Sequence, residues 1–272
     1  MTTILVDQDL CTRCGVCSAI CPSSIINPAD ENTLPRVRDE RASLCSRCGH
    51  CEAFCPTQAL LLNVDSDEHG HISSAAGNLS RGDLGIYLKK RRSIRHYRKE
   101  PVPQEEILQI LDVARYAPSG GNGQPVEWLV VYDREKVKKI AGLTIDWMKT
   151  LVQSGHPMSG YAPVLIGAWD AGRDVICRGA PHLLFAHIQE NNPVALVDAI
   201  IALEYFDIAA PAFGIGTCWA GFVAMAATIY EPLQKELGIP SGRKVAYAMM
   251  FGYPRYGIHG IPSRKPVKVE WR

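Results

Sequence analysis

The sequence predicts an α+β protein in two unequal parts, on three observations. Eight of its ten cysteines fall within the first 55 residues, in two runs of one pattern. Residues 1–64 carry a single aromatic side chain, Phe54, whereas all five Trp lie beyond residue 100. The later part mixes helical and extended hydrophobic periods without regular alternation, which points to α+β rather than to a doubly wound sheet.

The first run is Cys11, Cys14, Cys17 and Cys21, followed by Pro22; the second is Cys45, Cys48, Cys51 and Cys55, followed by Pro56. Each reads C-x2-C-x2-C-x3-C-P, the spacing with which bacterial ferredoxins hold [4Fe–4S] clusters. Three thiolates from one tight loop reach three corners of a cubane, and the fourth comes from elsewhere. In two-cluster ferredoxins the last Cys of each run ligates the other cluster. That expectation puts one cluster on Cys11, Cys14, Cys17 and Cys55, and the second on Cys45, Cys48, Cys51 and Cys21. A zinc site needs four ligands rather than eight and usually pairs two C-x2-C units. A secreted disulfide framework calls for a signal peptide, and Met1–Leu10 holds Asp7 and Asp9 with no basic start before an apolar run. Residues 1–64 are too poor in large side chains to bury a core alone, so the clusters must act as staples.

A length of 272 residues fits about two domains. Hydrophobic residues make up 47%, and 29 Lys and Arg balance 28 Asp and Glu, which gives no argument for nucleic acid or a membrane surface as partner. Cluster thiolates imply a reducing compartment, so the expected location is cytoplasmic. Val194–Phe213 is a long apolar stretch, but Asp198, Glu204, Asp207 and Pro211 inside it favour a buried or interface helix over a membrane span. Residues 65–83 are polar and rich in Gly and Ser, the composition of a linker; His69 and His71 within it read as solvated. The expected division is therefore 1–64, a linker at 65–83, and a second domain at 84–272.

In the second domain, Asp83 is a candidate cap for a short helix with Leu84, Tyr87 and Leu88 on one face. A basic run follows: Lys89, Lys90, Arg91 and Arg92, then Ser93, Arg95, Arg98 and Lys99. Pro103 opens a second helix, with Ile107, Leu108, Leu111 and Ala114 at helical spacing, which stops at Ala117-Pro118. The loop Ser119–Pro125 comes next. Trp128–Tyr132, Val164–Trp169, His182–His187 and Val245–Gly252 read as strands, being short apolar runs between polar or Gly/Pro punctuation. A long helix at 194–213 and another near Met225–Leu237 complete the pattern.

At Arg91-Arg92-Ser93-Ile94-Arg95 the chain resembles the nitroreductase family of flavoproteins. Ala117–Pro125 (APSGGNGQP) is similar to the family's APSxxNxQPW loop, with Val126 standing where the family often has Trp. Asp198–Ala210 looks like the central helix, ending in the Gly214–Trp219 turn with Gly221 after it. Phe251–Pro254 and Arg264-Lys265-Pro266 resemble the strand end and the tail motif. The resemblance covers residues 84–272, so the whole chain looks like a ferredoxin–nitroreductase fusion. It implies a central, mostly antiparallel sheet with surrounding helices, a domain-intertwined homodimer, and a non-covalent FMN held across the interface.

The residue chemistry fits that implication. An FMN phosphate suits guanidinium forks, which Arg91, Arg92 and Arg95, with Ser93, can supply; Arg264 and Lys265 would close the site from the tail. The plainer reading of the basic run is a solvated helix end favoured by the helix dipole. Pro118, Ser119, Gly120, Asn122 and Gln124 form a loop whose backbone can approach a ring closely; alternatively it simply ends a helix. Thr217, Cys218, Trp219 and Gly221 would bring backbone N–H groups to the flavin's electron-rich edge. A free Cys is most often a small buried hydrophobe, and that is the plainer reading of Cys218 and Cys177. No side chain is assigned as catalytic, because the chemistry centres on the flavin.

No dinucleotide fingerprint is present: Gly214-x-Gly216 lacks the third Gly and follows a helix. The expected function is an FMN-dependent oxidoreductase that receives low-potential electrons through two [4Fe–4S] clusters from an external donor, a ferredoxin or similar, and reduces a small organic acceptor. A nitroaromatic, a quinone or an activated double bond fits that acceptor. The alternatives are an electron-transfer subunit whose flavin serves a partner protein, and a specialised flavin reductase or dehalogenase of the same fold. Fast turnover of small nitroaromatics or enones separates the first from the second.

Overall fold

A computed structural model of the chain describes residues 4–62 and 79–272. Residues 4–62 with Gly121–Gly123 form one compact unit, and residues 79–120 and 124–272 form the other. Most of the expected linker, with His69 and His71, lies outside the described residues.

The first unit is built twice over. β1 (Ile4–Val6) precedes the first cysteine run and pairs antiparallel with β4 (Leu60–Leu62), which follows the second. β2 (Ile26–Asn27) follows the first run and pairs with β3 (Arg36–Val37), which precedes the second. Each run feeds a short helix, α1 (Val16–Ile20) or α2 (His50–Ala53). Matching positions share one backbone device: Arg13 and Arg47, Gly15 and Gly49, and Ser24 and Gln58 all have positive φ, between 49° and 75°. Only Gly enters that region without strain, so the cysteine loops are held in a conformation that the flanking structure must enforce. The buried aliphatic side chains here are few: Ile25, Ile26, Ala59, Leu60 and Leu62.

The second unit has a four-stranded antiparallel sheet in the order β5-β6-β8-β7, made of β5 (Glu127–Val131), β6 (His182–Gln189), β7 (Gly216–Trp219) and β8 (Arg243–Gly252). Helices cover both faces. On one side Leu183, Phe185, Ala248 and Met250 pack with α5 (Arg134–Leu151), α6 (Ala162–Asp170), α8 (Gly221–Ile229) and α9 (Glu231–Leu237). On the other, Leu184, Ala186, Met249 and Phe251 pack with α4 (Gln104–Ala114) and α7 (Ala195–Ala209). Successive strand residues point to opposite faces, so a sheet covered on both sides reads as an unbroken apolar run. No described helix is long and apolar enough to cross a membrane.

Several sequence expectations are corrected. Val164–Trp169 is helical, inside α6, not a strand. Pro163 sits in the first turn, where its missing N–H costs nothing, and Ala162, Leu165 and Ala168 turn one face inward. The first helix of this unit, α3 (Arg81–Lys90), is capped by Ser80 rather than Asp83: the Ser80 side chain accepts from Asp83 N, and its hydroxyl donates back to Asp83 Oδ2 at 2.6 Å. The helix expected near Met225–Leu237 is two helices, because Pro232 opens α9 after Tyr230 leaves helical geometry. The long helix expected at 194–213 runs as α7 and then tightens to a 3-10 turn at Ala210–Phe213, where Pro211 cannot donate. Within the expected turn, Gly216–Trp219 is strand β7. α5 went unread, although Asp133 caps it and Val137, Ile140, Ala141, Thr144, Ile145 and Met148 mark its buried face.

β7 is an edge strand, and its free edge is covered by the basic segment: Ile94 N donates to Thr217 O at 2.8 Å. Gly216 makes this approach possible. A Cβ there would lie 2.5 Å from Ile94 Cγ1 and 3.0 Å from Pro254 Cγ.

Candidate functional site

The eight thiols of the first unit divide between two cavities. One is lined by Cys11, Cys14, Cys17 and Cys55. The other is lined by Cys45, Cys48, Cys51 and Cys21. Each cavity thus takes three thiols from one run and the last from the other. Among the described residues no His, Cys, Asp or Glu group is arranged to hold a single metal ion. A cubane makes no such demand, because each thiolate takes its own iron corner. Burial, the largest influence, raises the Cys17 thiol, and with the added effect of Cys45 and Cys48 it pushes Cys51 up to about 11. At Cys55 burial also acts upward, but backbone N–H groups of Thr57, Ala59 and Leu60 outweigh it and lower the thiol. Such N–H groups aimed at sulfur tune the potential of a bound cluster, and the left-handed loop positions are the kind of backbone turn that collects them. The residues present therefore fit a cubane in each cavity.

The second unit carries a cavity of different chemistry. Lys90, Arg91, Arg92, Arg98 and Arg255 line it, with no carboxylate among the lining side chains. Tyr87, Ile94, Ile208, Pro211, Ile215 and Tyr256 give it apolar walls, and Gly216 and Thr217 contribute the edge of β7. Arg91 Nη1 lies 3.2 Å from Asp207 Oδ2. Asp207 is fully buried, and its other oxygen accepts the Thr217 hydroxyl. Tyr87 fastens α3 to α7, its hydroxyl donating to Ile208 O at 2.6 Å. Arg92 Nη1 donates to the Arg91 carbonyl, and Arg92 Nη2 is buried with no hydrogen-bond partner. A buried donor without an acceptor is costly, and an anion in the cavity satisfies it. A phosphate of FMN therefore fits the residues present.

The other expected site residues are distributed around this cavity and beyond it. Arg95 Nη1 points back to Ser93 O at 3.5 Å. Burial raises the Cys218 thiol, against the pull of Arg95 and the Ser93 hydroxyl, so Cys218 is a protonated core thiol in the cluster of side chains that also buries Cys177. Trp219 stands edge-on to Tyr247, ring centroids 5.1 Å apart. Gly221 begins α8, whose first N–H groups lack helical acceptors. Pro118 is exposed, Gly120 N donates to buried Asp198 at 3.1 Å, and Gln124 N donates to Ser119 Oγ at 3.0 Å. Asn122 groups with the first unit; it and Gln124 have positive φ. Arg264 and Lys265 are exposed in the tail and are not on the cavity.

Sequence reading missed Asp207 and the cavity residues Lys90, Arg98, Arg255 and Tyr256 as site residues. The signal for Asp207 was present: a carboxylate within an otherwise apolar helix needs a partner.

Comparisons with known proteins agree with both units. The nitroreductase family profile matches residues 88–253, and the 4Fe-4S dicluster domain profile matches residues 10–60. The chain is 40% identical over 195 residues to a 5,6-dimethylbenzimidazole synthase of Rhodospirillum rubrum, covering 67% of this chain and 87% of that protein. It is 38% identical over 140 residues to an FMN reductase [NAD(P)H] of Bacillus subtilis, covering 50% of this chain but only 53% of that protein. A nitroreductase with bound FMN from Desulfitobacterium hafniense superposes with a TM-score of 0.53 at 25% identity, over 68% of this chain and 96% of that one.

Proposed function

The chain belongs to the nitroreductase family, with a 4Fe-4S dicluster domain ahead of the family domain, and on that premise we propose that it takes low-potential electrons through two [4Fe–4S] clusters and reduces a small organic acceptor at FMN. A nitroaromatic, a quinone or an activated double bond fits this chemistry. The observation that carries the reading is the four-and-four division of the thiols between two cavities, in one chain with a cationic cavity whose Arg92 has a buried, unpartnered nitrogen. Bound FMN supplies the exchange between one-electron donors and two-electron acceptors. The chain's part is to hold each cluster by four thiolates, to hold the phosphate by guanidinium groups, and to offer backbone N–H groups at the start of α8.

The same reading places the flavin between two copies of the chain. Two features support a partner copy. α3 has no buried residue and exposes Leu84, Ile86 and Leu88, and the tail carries Val267 and Trp271 at 87% and 91% exposure. Apolar surface of that kind is ordinarily covered by a partner.

The test is anaerobic. Full-length protein should oxidise reduced ferredoxin while reducing a nitroaromatic. A chain beginning at Ser80 should keep FMN and accept electrons from dithionite, but lose most of its rate with ferredoxin. Equal rates for the two chains would take the clusters off the path. Efficient flavin reduction by NADH or NADPH with the clusters untouched would do the same.

A further inference from the structure

Three residues of the first unit come from the middle of the second unit's chain: Gly121–Gly123 group with residues 4–62, while Gly120 and Gln124 on either side do not. Asn122 fastens them there. Its side-chain nitrogen donates to Ser46 O at 3.2 Å and to Arg47 O at 3.0 Å. Two carbonyls facing one amide fix which way it points, because only the nitrogen donates. Ser46 and Arg47 stand between Cys45 and Cys48, so the amide closes on the loop that carries two of the four thiols of the second cavity. Both sides of this contact are held in left-handed backbone. Arg47 has φ 52°, and Gly121, Asn122 and Gln124 have φ 58°, 57° and 43°. Side chains other than Gly keep that conformation only where their surroundings enforce it. At one end of the loop it is enforced within the second unit: Gly120 N donates to buried Asp198 at 3.1 Å, and Gln124 N donates to Ser119 Oγ at 3.0 Å. At Asn122 it is enforced by two carbonyls whose own place depends on the shape of the cysteine loop.

Resting on the cluster reading above, we propose that Asn122 is a positioning residue that couples loading of the second cavity, lined by Cys45, Cys48, Cys51 and Cys21, to the conformation of the loop at 118–125. When those thiols are engaged, Ser46 O and Arg47 O are fixed, and the Asn122 amide holds the loop in its left-handed turn. When they are not, the amide loses its acceptors and the loop relaxes about Gly121 and Gly123, where backbone freedom is greatest. Loading of the other cavity, lined by Cys11, Cys14, Cys17 and Cys55, leaves the loop unchanged, because the contact falls on the second run. A loop expected beside the flavin thus takes its shape only in a chain loaded at the second cavity. The coupling is reciprocal: a formed loop favours the loaded state.

The experiment uses full-length protein under anaerobic conditions. It reads iron content together with hydrogen exchange of peptides spanning 117–126, where the Gly120 and Gln124 N–H groups report opening of the loop. Against fully loaded wild type, Cys21→Ser should speed this exchange at least about tenfold, and Cys55→Ser by less than about threefold. Asn122→Asp keeps the shape of the side chain but has no donor and aims a charge at two carbonyls. With about eight irons bound, it should speed exchange of the loop at least about tenfold. It should also lower the reduction potential of the cluster that Cys21→Ser loses and leave the other in place, because a nearby negative charge disfavours an added electron. The proposal is overturned if iron-loaded Asn122→Asp exchanges the loop as slowly as wild type, or if its two cluster potentials move alike. It is also overturned if a Cys55→Ser protein that retains about four irons frees the loop as far as Cys21→Ser does. Wild-type protein that binds no iron overturns the cluster reading itself, a result visible before any exchange is measured.

Discussion

The two units reach stability by different routes. Among the described residues of the first, five aliphatic side chains are buried and the two α-helices are five and four residues long. In the second, two clusters of buried side chains sandwich a four-stranded sheet, with Phe185, Phe206, Phe251 and Leu203 wholly enclosed. Helices as short as those of the first unit do not persist without tertiary support, and too little apolar surface is buried there to provide it. A cofactor therefore has a different part in each unit. In the first unit the cluster is part of the folding energy; in the second the flavin enters a site that the fold has already built.

The largest effect expected from that contrast is the loss of one unit alone. Anaerobic iron chelation should abolish the protected structure of residues 4–62 and leave the second unit intact, because ligand binding that requires the folded state is itself folding energy. Hydrogen exchange checks this peptide by peptide. Peptides from 4–62 should exchange at the rate of an open chain, while those from β6 and β8 keep their protection. Persistent protection across 4–62 would mean that the small aliphatic core suffices.

Within the first unit the contrast sharpens to single thiols. Cys21→Ser should reduce iron from about eight to about four per chain, and the lost cluster should be the one held by Cys45, Cys48 and Cys51, whose cavity Cys21 lines. Cys55→Ser should remove the other. Electron paramagnetic resonance of the two variants distinguishes the surviving clusters. The reverse pairing would contradict the crossed arrangement.

The two sites were legible in the sequence to different degrees for the same physical reason. Cluster ligation is a matter of side chains at fixed spacing, so the cysteine runs announce it directly. The cationic cavity depends on features that spacing does not encode. Asp207 in α7 meets Arg91 across more than a hundred residues of chain, and Gly216 matters only because Ile94 crosses it. Arg91, Arg92 and Thr217 were legible through the family resemblance, whereas Lys90, Arg98 and Arg255 were not. The antiparallel sheet was readable in three of its four strands. The error at Val164–Trp169 came from a continuous apolar run, which periodicity alone cannot assign to strand or helix.

A substitution in the second unit gives a smaller effect, confined to that unit. Gly216→Ala places a methyl 2.5 Å from Ile94 Cγ1, and overpacking of this kind costs about 1–3 kcal/mol. The thermal midpoint of the second unit should fall by about 2–4 °C for each kcal/mol, and FMN should bind more weakly because Ile94 lies between Arg92 and Arg95. Gly167→Ala is the matched control. It lies inside α6, and an added Cβ meets nothing within 4 Å, so it should stabilise by up to about 1 kcal/mol. Iron content should not change in either variant. A Gly216→Ala protein as stable as wild type would show that the basic segment can move away from β7.

The smallest effect expected is a pH dependence that belongs to the second unit. His182 is fully buried between Val102 N, which donates to its Nε2 at 2.9 Å, and Tyr132 O, 2.9 Å from its Nδ1. Its ring is therefore neutral, with the proton on Nδ1. Burial lowers its pKa, with the Tyr132 carbonyl acting the other way. His187 is lowered as well, by burial first and then by Arg243, with Glu127 opposing. An unfolded histidine takes up its proton near about 6.5, while the folded one resists until a lower pH. Between those values the unfolded chain binds more protons, so stability is full above about 6.5 and declines as pH falls, levelling below the folded pKa. Glu204 is shifted upward, by burial first and then by Asp207; its contribution is lost as pH rises, starting from the lower carboxylate range, and partly offsets the histidines. Urea unfolding of the chain beginning at Ser80, measured between pH 5 and pH 7 (about the histidine range), should show the decline. His182→Gln keeps one donor and one acceptor but cannot titrate, so it should flatten the curve. An unchanged slope in that variant would place the pH dependence elsewhere.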